Sequence, residues 1–396
     1  MAIDFSPGKR ILIRVDFNVP IHDGKIIDTT RIVSSLPTIN YFIKLGMRVI
    51  LISHLGRPTE NREMALSLKQ LIQPLSGLLN NKKVHFLSDI THELAQKTLE
   101  ILQPGDVCLL ENLRFFSGEK ANDDTFAQLL SQFGDFYIND AFGVCHRKHA
   151  SVSSIHHFFK KKTYKGFLLE KELLELEKLQ KKPKKPYTII VGGAKIGSKI
   201  HMLQAFLNVA DYILIGGGMA FPFIKYLGGN IGSSLCRLEE ISVVENFFKK
   251  ANKSKTKIIL PIDCFVTSNI EKRADVKILE ISKIPQNYMG VDVGPKTIEL
   301  FSGVIRNSQT IMWNGPMGIS EIDEFSTGTK QLSDLIIEST NMGAFSLIGG
   351  GDTISDVSRF GLKSKFSYIS TGGGAMLEFF KNKNLPGVLN LKKINT

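Results

Sequence analysis

Five arginines in the first half of this 396-residue chain stand at or beside short apolar runs or turn residues. They are Arg14 in RVDFNVP, Arg31 after the pair Thr29 and Thr30, Arg57 in SHLGRP, Arg114 in ENLRF and Arg147 in CHRKHAS. His54, His146 and His149 lie in the same stretches, and Asp16 and Asn18 share one face with Arg14 if that strand continues. A guanidinium fork matches carboxylate and phosphate geometry in two-point contact. One such arginine is as well explained by a surface ion pair, but with four separate strands delivering Arg or His toward one crevice the five together read as a basic pocket for a small, multiply anionic substrate. His146 and His149 have no third ligand in the sequence, so substrate hydrogen bonding or plain structure is the reading rather than a metal site.

The second half is punctuated by glycine. GGAKIGSKI carries Gly193, Lys195 and Lys199; further turns are Gly216–Gly218 around Gly217, Trp313–Gly318 with Asn314, Pro316 and Gly318, Gly349–Thr353 with Gly350, Gly351, Asp352 and Thr353, and Gly372–Gly374 around Gly373. Glycine lets backbone N–H groups approach phosphate oxygens, and a helix starting at such a turn favours anions. Lys195 and Lys199 become neighbours on a helix face if the helix starts there. Neither a Walker A loop nor a dinucleotide fingerprint is present, since Gly197 is followed by Ser198 and Ala194 takes the middle glycine position. Several glycine turns at strand ends argue for a nucleotide site. Asp352 can hold Mg²⁺ beside phosphates or cap a helix, and the two roles are compatible.

The elements that must position these groups are short apolar runs: Ile11–Val15, Val49–Ile52, Val107–Leu110, Phe136–Ile138, Thr188–Val191, Tyr212–Ile215, Ile258–Leu260, Thr310–Trp313 and Ala344–Ile348. Runs of this kind suit strands buried on both faces, and the intervals leave room for crossover helices. The fold class expected is α/β with parallel sheets. Leu169, Leu173, Leu176 and Leu179 fall on one helical face, read as ordinary packing, before Pro183 and Pro186 stop the helix. This segment reads as a helix joining two halves.

Composition bounds the rest. A formal charge of +12 favours anionic partners or simply keeps the chain soluble. The four cysteines, Cys108, Cys145, Cys236 and Cys264, have no CxxC spacing and read as reduced thiols. Asp4 interrupts any apolar leader, and Ile213–Ile224 is too short and glycine-rich to span a bilayer, so a cytoplasmic protein is expected.

RVDFNVP, SHLGRP, ENLRF, the NDAFG-to-HAS stretch, GGAK, GGGMAF, DVGPKT, WNGPMG, GGGDT and STGGGA occur, in this order, as they do in phosphoglycerate kinases. From about residue 11 to 388 the chain resembles that family. The resemblance implies two Rossmann-like three-layer α/β/α domains with mainly parallel sheets, joined by a long interdomain helix. The expected division is 1–166 for 3-phosphoglycerate and 1,3-bisphosphoglycerate, 167–186 as helix and linker, 187–385 for ADP and ATP, and 386–396 returning to the first domain. It implies reversible, Mg²⁺-dependent transfer from 1,3-bisphosphoglycerate to ADP, in line, after hinge closure. Triose positions carried over are Asp16, Asn18, Arg31, His54, Arg57, Arg114 and Arg147, with Arg14 beside them. Nucleotide positions are Lys195, Lys199, Asn314, Glu321 and the Gly349–Thr353 turn, with Asp352 for the metal. Arg31 and Lys199 are expected to neutralise the transferring group, assisted by helix N-terminal amides at Gly350 and Gly373. A monomer is the family expectation. Ser198, Pro222 and Ser320 depart from patterns common in the family. A nicotinamide dehydrogenase lacks its fingerprint here. A nucleic-acid module, suggested by the lysine runs, lacks interleaved aromatics.

Overall fold

A computed structural model describes residues 5–59, 63–90, 92–271 and 275–394; Asp4 lies outside them. The chain forms two compact units, one of Met1–Glu175 with Asn382–Thr396, the other of Leu176–Lys381.

The first unit is built on β1 (Arg10–Arg14), β2 (Arg48–Ile52), β3 (Val84–Leu87), β4 (Val107–Leu110), β5 (Phe136–Asn139) and β6 (Thr163–Lys165). They pair in the order β3-β4-β2-β1-β5-β6, all parallel. Apart from Arg10 and Arg48 at their first positions, β1 and β2 are buried throughout, as is all of β4 and β5, because helices cover both faces of a parallel sheet. Register matters for function: Arg14 stands opposite Ile52 on one side and Asn139 on the other. The carboxyl ends therefore coincide, and the segments after them begin at one edge. Helix α1 (Thr30–Lys44) packs Ile32, Ile39 and Phe42 into the core beneath.

Residues 382–394 belong to this unit. Asn139 Nδ2 donates to Gly387 O at 2.7 Å, Gly387 N to Cys145 O at 2.9 Å, and Lys392 N to Thr163 O at 3.0 Å. Helix α2 (Phe167–Lys181) carries the leucine stripe, and Leu169, Leu173, Leu176 and Leu179 are all buried.

The second unit repeats the logic with β7 (Tyr187–Val191), β8 (Tyr212–Ile215) and β9 (Lys257–Ile259), followed by an antiparallel trio, β10 (Asp263–Thr267), β11 (Lys277–Glu280) and β12 (Met289–Val293). Next come β13 (Thr310–Asn314), β14 (Phe345–Gly349) and β15 (Tyr368–Ile369). The parallel order is β9-β8-β7-β13-β14-β15. Asn314 lies opposite Val191 and Gly349, so the glycine turns after β7, β13 and β14 open along one edge. Among the helices of this unit, α3 (Gly197–Phe206), α4 (Pro295–Ile305) and α6 (Gly351–Arg359) start near such turns or strand ends, α5 (Thr327–Asn341) lies between β13 and β14, and α7 (Gly374–Lys381) follows β15. The antiparallel trio was not foreseen in the sequence. Its β11 pattern is largely exposed and β10 carries a bulge, so neither gives a continuous apolar run.

Candidate functional site

In the first unit, β1 ends at Arg14, so Asp16 and Asn18 lie beyond the strand rather than continuing it. They are held by other bonds. Asp16 Oδ2 accepts from Arg31 at 2.8 Å, and Asn18 Oδ1 accepts from Gly56 N at 2.8 Å. Arg14 is fully buried. Its Nε donates to Ser151 Oγ at 2.9 Å, one terminal nitrogen bonds Val15 O, and the other lies 3.2 Å from His54 Nδ1. Arg114 reaches Gly56 O at 2.5 Å. Arg114 and Arg147 each keep Nε buried with no hydrogen-bond partner. Arg57 is exposed on the turn after β2.

The electrostatics tie these residues into one group. Burial, then the charges of Arg14, Arg114, Arg31 and Arg147, hold the His54 imidazolium far below its usual range. Arg114 is pulled down to about 10, first by burial and then by Arg147 and Arg14. His149 falls to about 4 through burial and the same three arginines, with His146 adding to them. Cations gathered this closely suit an anion, and Arg114 and Arg147 each still have an unused donor.

Asn112, inside ENLRF, was not singled out from sequence. Its Oδ1 accepts from Leu55 N and Arg114 N, and its Nδ2 donates to Leu55 O and Leu66 O. It fixes the His54 turn and the Arg114 turn together.

In the second unit a cavity of about 390 Å³ is lined by Gly193, Gly217, Pro316, Gly318, Glu321 and Asp352. Its apolar wall comes from Phe221, the last residue of GGGMAF, and from Ile281, Met289 and Val291, which no motif reading had marked. A polar end beside an apolar trough suits a nucleotide. Gly217 has φ +62°, and a Cβ there would sit 2.6 Å from Gly193 N. Gly350 has φ +95° and packs against the buried Asn314 amide, whose Nδ2 has no partner. Thr353 Oγ1 accepts from Gly315 N at 2.6 Å, pinning the head of α6 against the β13 turn. Gly351 and Asp352 are exposed there.

Lys199 lies in the first turn of α3, and its Nζ donates to Gly192 O at 2.5 Å. Burial lowers it to about 8, with Asp352 pulling the other way. Lys195 precedes the helix, which starts at Gly197, so the two lysines are not a helix-face pair; Lys195 is exposed in the turn. Gly373 heads α7 and does not line the cavity. Pro222 is buried in the short helix Ala220–Tyr226, Ser320 is buried beside Asp356, and the side chain of Ser198 lies outside the described ones.

Among the described residues no group of three or more His, Cys, Asp or Glu side chains could cage a metal ion. Asp352 and Glu321 both line the cavity and offer an open donor set. That fits Mg²⁺, which keeps its waters and takes one or two carboxylates plus substrate phosphates.

The phosphoglycerate kinase family matches residues 3–383. Phosphoglycerate kinase of Thermosipho africanus (strain TCF52B) is 46% identical over 391 residues, covering 98% of this chain and 96% of its own. That of Geobacter metallireducens is 43% identical over 392 residues, covering 99% and 97%. Among solved structures, phosphoglycerate kinase from Coxiella burnetii superposes with TM-score 0.83 at 36% identity, covering 97% and 96%. The enzyme from Pyrococcus horikoshii OT3 gives 0.82 at 29%, covering 98% and 97%.

Proposed function

Because the chain belongs to the phosphoglycerate kinase family, we propose that its two sites hold the two halves of one phosphoryl transfer. The chain is a phosphotransferase acting between 1,3-bisphosphoglycerate or 3-phosphoglycerate and ADP or ATP. The observation that carries the finer reading is the mutual field of Arg14, Arg31, Arg114 and Arg147 around His54. A compact polyanion would relieve it, and 1,3-bisphosphoglycerate is one. Asp16 and Asn18 then orient the triose, with Arg57 and Arg147 closing on its charges. In the second unit, Gly193, Gly217, Pro316, Gly318 and Glu321 cradle the nucleotide, and Lys195, Asn314 and Thr353 serve its phosphates.

The donor is an acyl phosphate and needs no protein nucleophile. An ADP β-phosphate oxygen attacks phosphorus in line; the P–O bond to the acyl carbon breaks and 3-phosphoglycerate leaves as a carboxylate. Arg31, Lys199 and the amides at Gly350 and Gly373 stabilise the charge spread over the transferring group. Asp352 would hold Mg²⁺, which when bound would supply further charge neutralisation at the nucleotide phosphates. With the ligands on separate units, transfer requires a hinged movement that brings them together and keeps water from the acyl phosphate. No helix among the described residues is long and apolar enough to cross a membrane, and we read the protein as a cytoplasmic monomer that uses no nucleic acid.

The test is a coupled assay with 3-phosphoglycerate, ATP and Mg²⁺. Turnover that requires all three is expected, and chelation of Mg²⁺ should abolish it. Absence of turnover with 3-phosphoglycerate would remove the reading.

A further inference from the structure

We infer that Glu119, Ser151 and Arg14 form a buried positioning relay that holds His54 as a neutral imidazole with its proton on Nε2. The histidine then offers the substrate a hydrogen-bond donor rather than a charge. This rests on reading the arginine cluster as the triose site.

The chain of reasoning starts at Glu119, which is fully buried. A carboxylate only accepts hydrogen bonds. Ser151 gives it both a backbone N–H at 2.9 Å and its hydroxyl at 2.7 Å. With that O–H committed, Ser151 Oγ has only lone pairs left, and Arg14 Nε donates into one at 2.9 Å. A second corner of the guanidinium is taken by Val15 O. The third faces His54 Nδ1 at 3.2 Å. A guanidinium has donors only and is not deprotonated in proteins, so Nδ1 must accept. A neutral imidazole that accepts at Nδ1 carries its proton on Nε2.

No group competes for an Nδ1 proton. Asp16 Oδ1 is 3.9 Å away, beyond hydrogen-bond reach, and its other oxygen is engaged by Arg31. The remaining charges acting on His54 are the cations Arg31, Arg114 and Arg147. A further positive charge is unfavourable in such company, whereas a neutral N–H adds a donor without repulsion. Arg14 is sealed from solvent with every corner occupied, so it acts on substrate through His54 and is a positioning residue.

The experiment is ¹⁵N imidazole spectroscopy of the full chain at pH values from about 5 to 8, with and without 3-phosphoglycerate, together with steady-state kinetics. In the native protein His54 should keep a bare Nδ1 and a protonated Nε2 throughout. A proton on Nδ1, or titration like an ordinary histidine, overturns the proposal. Ser151→Ala cuts the link and should give a tautomer mixture, with KM for 3-phosphoglycerate rising about 10-fold and kcat changing less. Ser151→Thr keeps the hydroxyl and should restore the native spectrum. An unchanged His54 spectrum in Ser151→Ala eliminates the relay. Should Ser151→Ala not fold, Arg14→Lys, which keeps the charge but loses the fork, must produce the same mixture or the relay falls. If 3-phosphoglycerate leaves the His54 signals unmoved while the tautomer is as stated, the triose reading fails and the relay stands.

Discussion

If Lys199 meets the nucleotide phosphates, as proposed, it sets a pH dependence for nucleotide binding. Its ordinary value of 10.5 is lowered to about 8 because burial outweighs the pull of Asp352. The cation is therefore present at pH 7 and is lost as pH rises through about 8 in the free protein. Between about 8 and 10.5 the folded chain binds fewer protons here than the unfolded chain, so this group's effect is that stability rises with pH across that window. ADP affinity should weaken above pH 8, and below it binding should retain the proton. Calorimetric titration at three pH values checks this; a flat affinity through pH 9 would refute it. Among the described residues Arg31 makes one ion pair, with Asp16, and its side chain is 33% exposed, so Arg31→Ala should fold. Its kcat should fall by about 10²–10³ if it meets the transferring phosphoryl group. Near-native turnover in that variant would remove it from the reaction.

Elements are positioned by carboxylates that reach across from neighbouring strands. Asp263, on β10, takes Thr297 N at 2.8 Å, Thr297 Oγ1 at 2.7 Å and Lys296 N at 3.1 Å, and so caps α4 from outside the helix. Asp263→Ala strands the buried Thr297 donors and should cost about 1–3 kcal/mol in urea denaturation. Asp292, on β12, holds the head of α5 through Gly328 N at 2.7 Å. Burial raises its carboxyl from 3.8 to about 7, against the bonds from Gly328 and Val293. The folded state thus binds the proton more tightly, and this stabilisation is lost as pH climbs from about 4 through 7. Asp292→Asn should narrow the difference in unfolding free energy between pH 5 and pH 8. Elements at this scale were legible where apolar runs were continuous: nine strand runs were marked from sequence, and each lies on a strand of one parallel sheet or the other. The antiparallel trio escaped because β11 is mostly exposed. The Lys195–Lys199 pairing failed because the turn runs to Ile196 before α3 begins. Side-chain direction was hidden altogether. Nothing in RVDFNVP says that Arg14 turns inward, and Glu119 and Ser151 are too far apart in sequence to form a motif.

At the scale of the whole molecule, a charge of +12 and a double-site reaction make one expectation measurable. If transfer needs the units to move together, small-angle scattering should record a smaller radius of gyration with 3-phosphoglycerate and nucleotide both bound than with either alone. Identical curves in all three states would rule out the hinge. The return of residues 382–394 to the first unit carries a separate consequence for biosynthesis. All of the second unit leaves the ribosome before Gly387 and Lys392 can meet Asn139, Cys145 and Thr163. The portion translated first is thus the portion completed last, and a stalled nascent chain would carry one finished lobe and one still awaiting its closing strip.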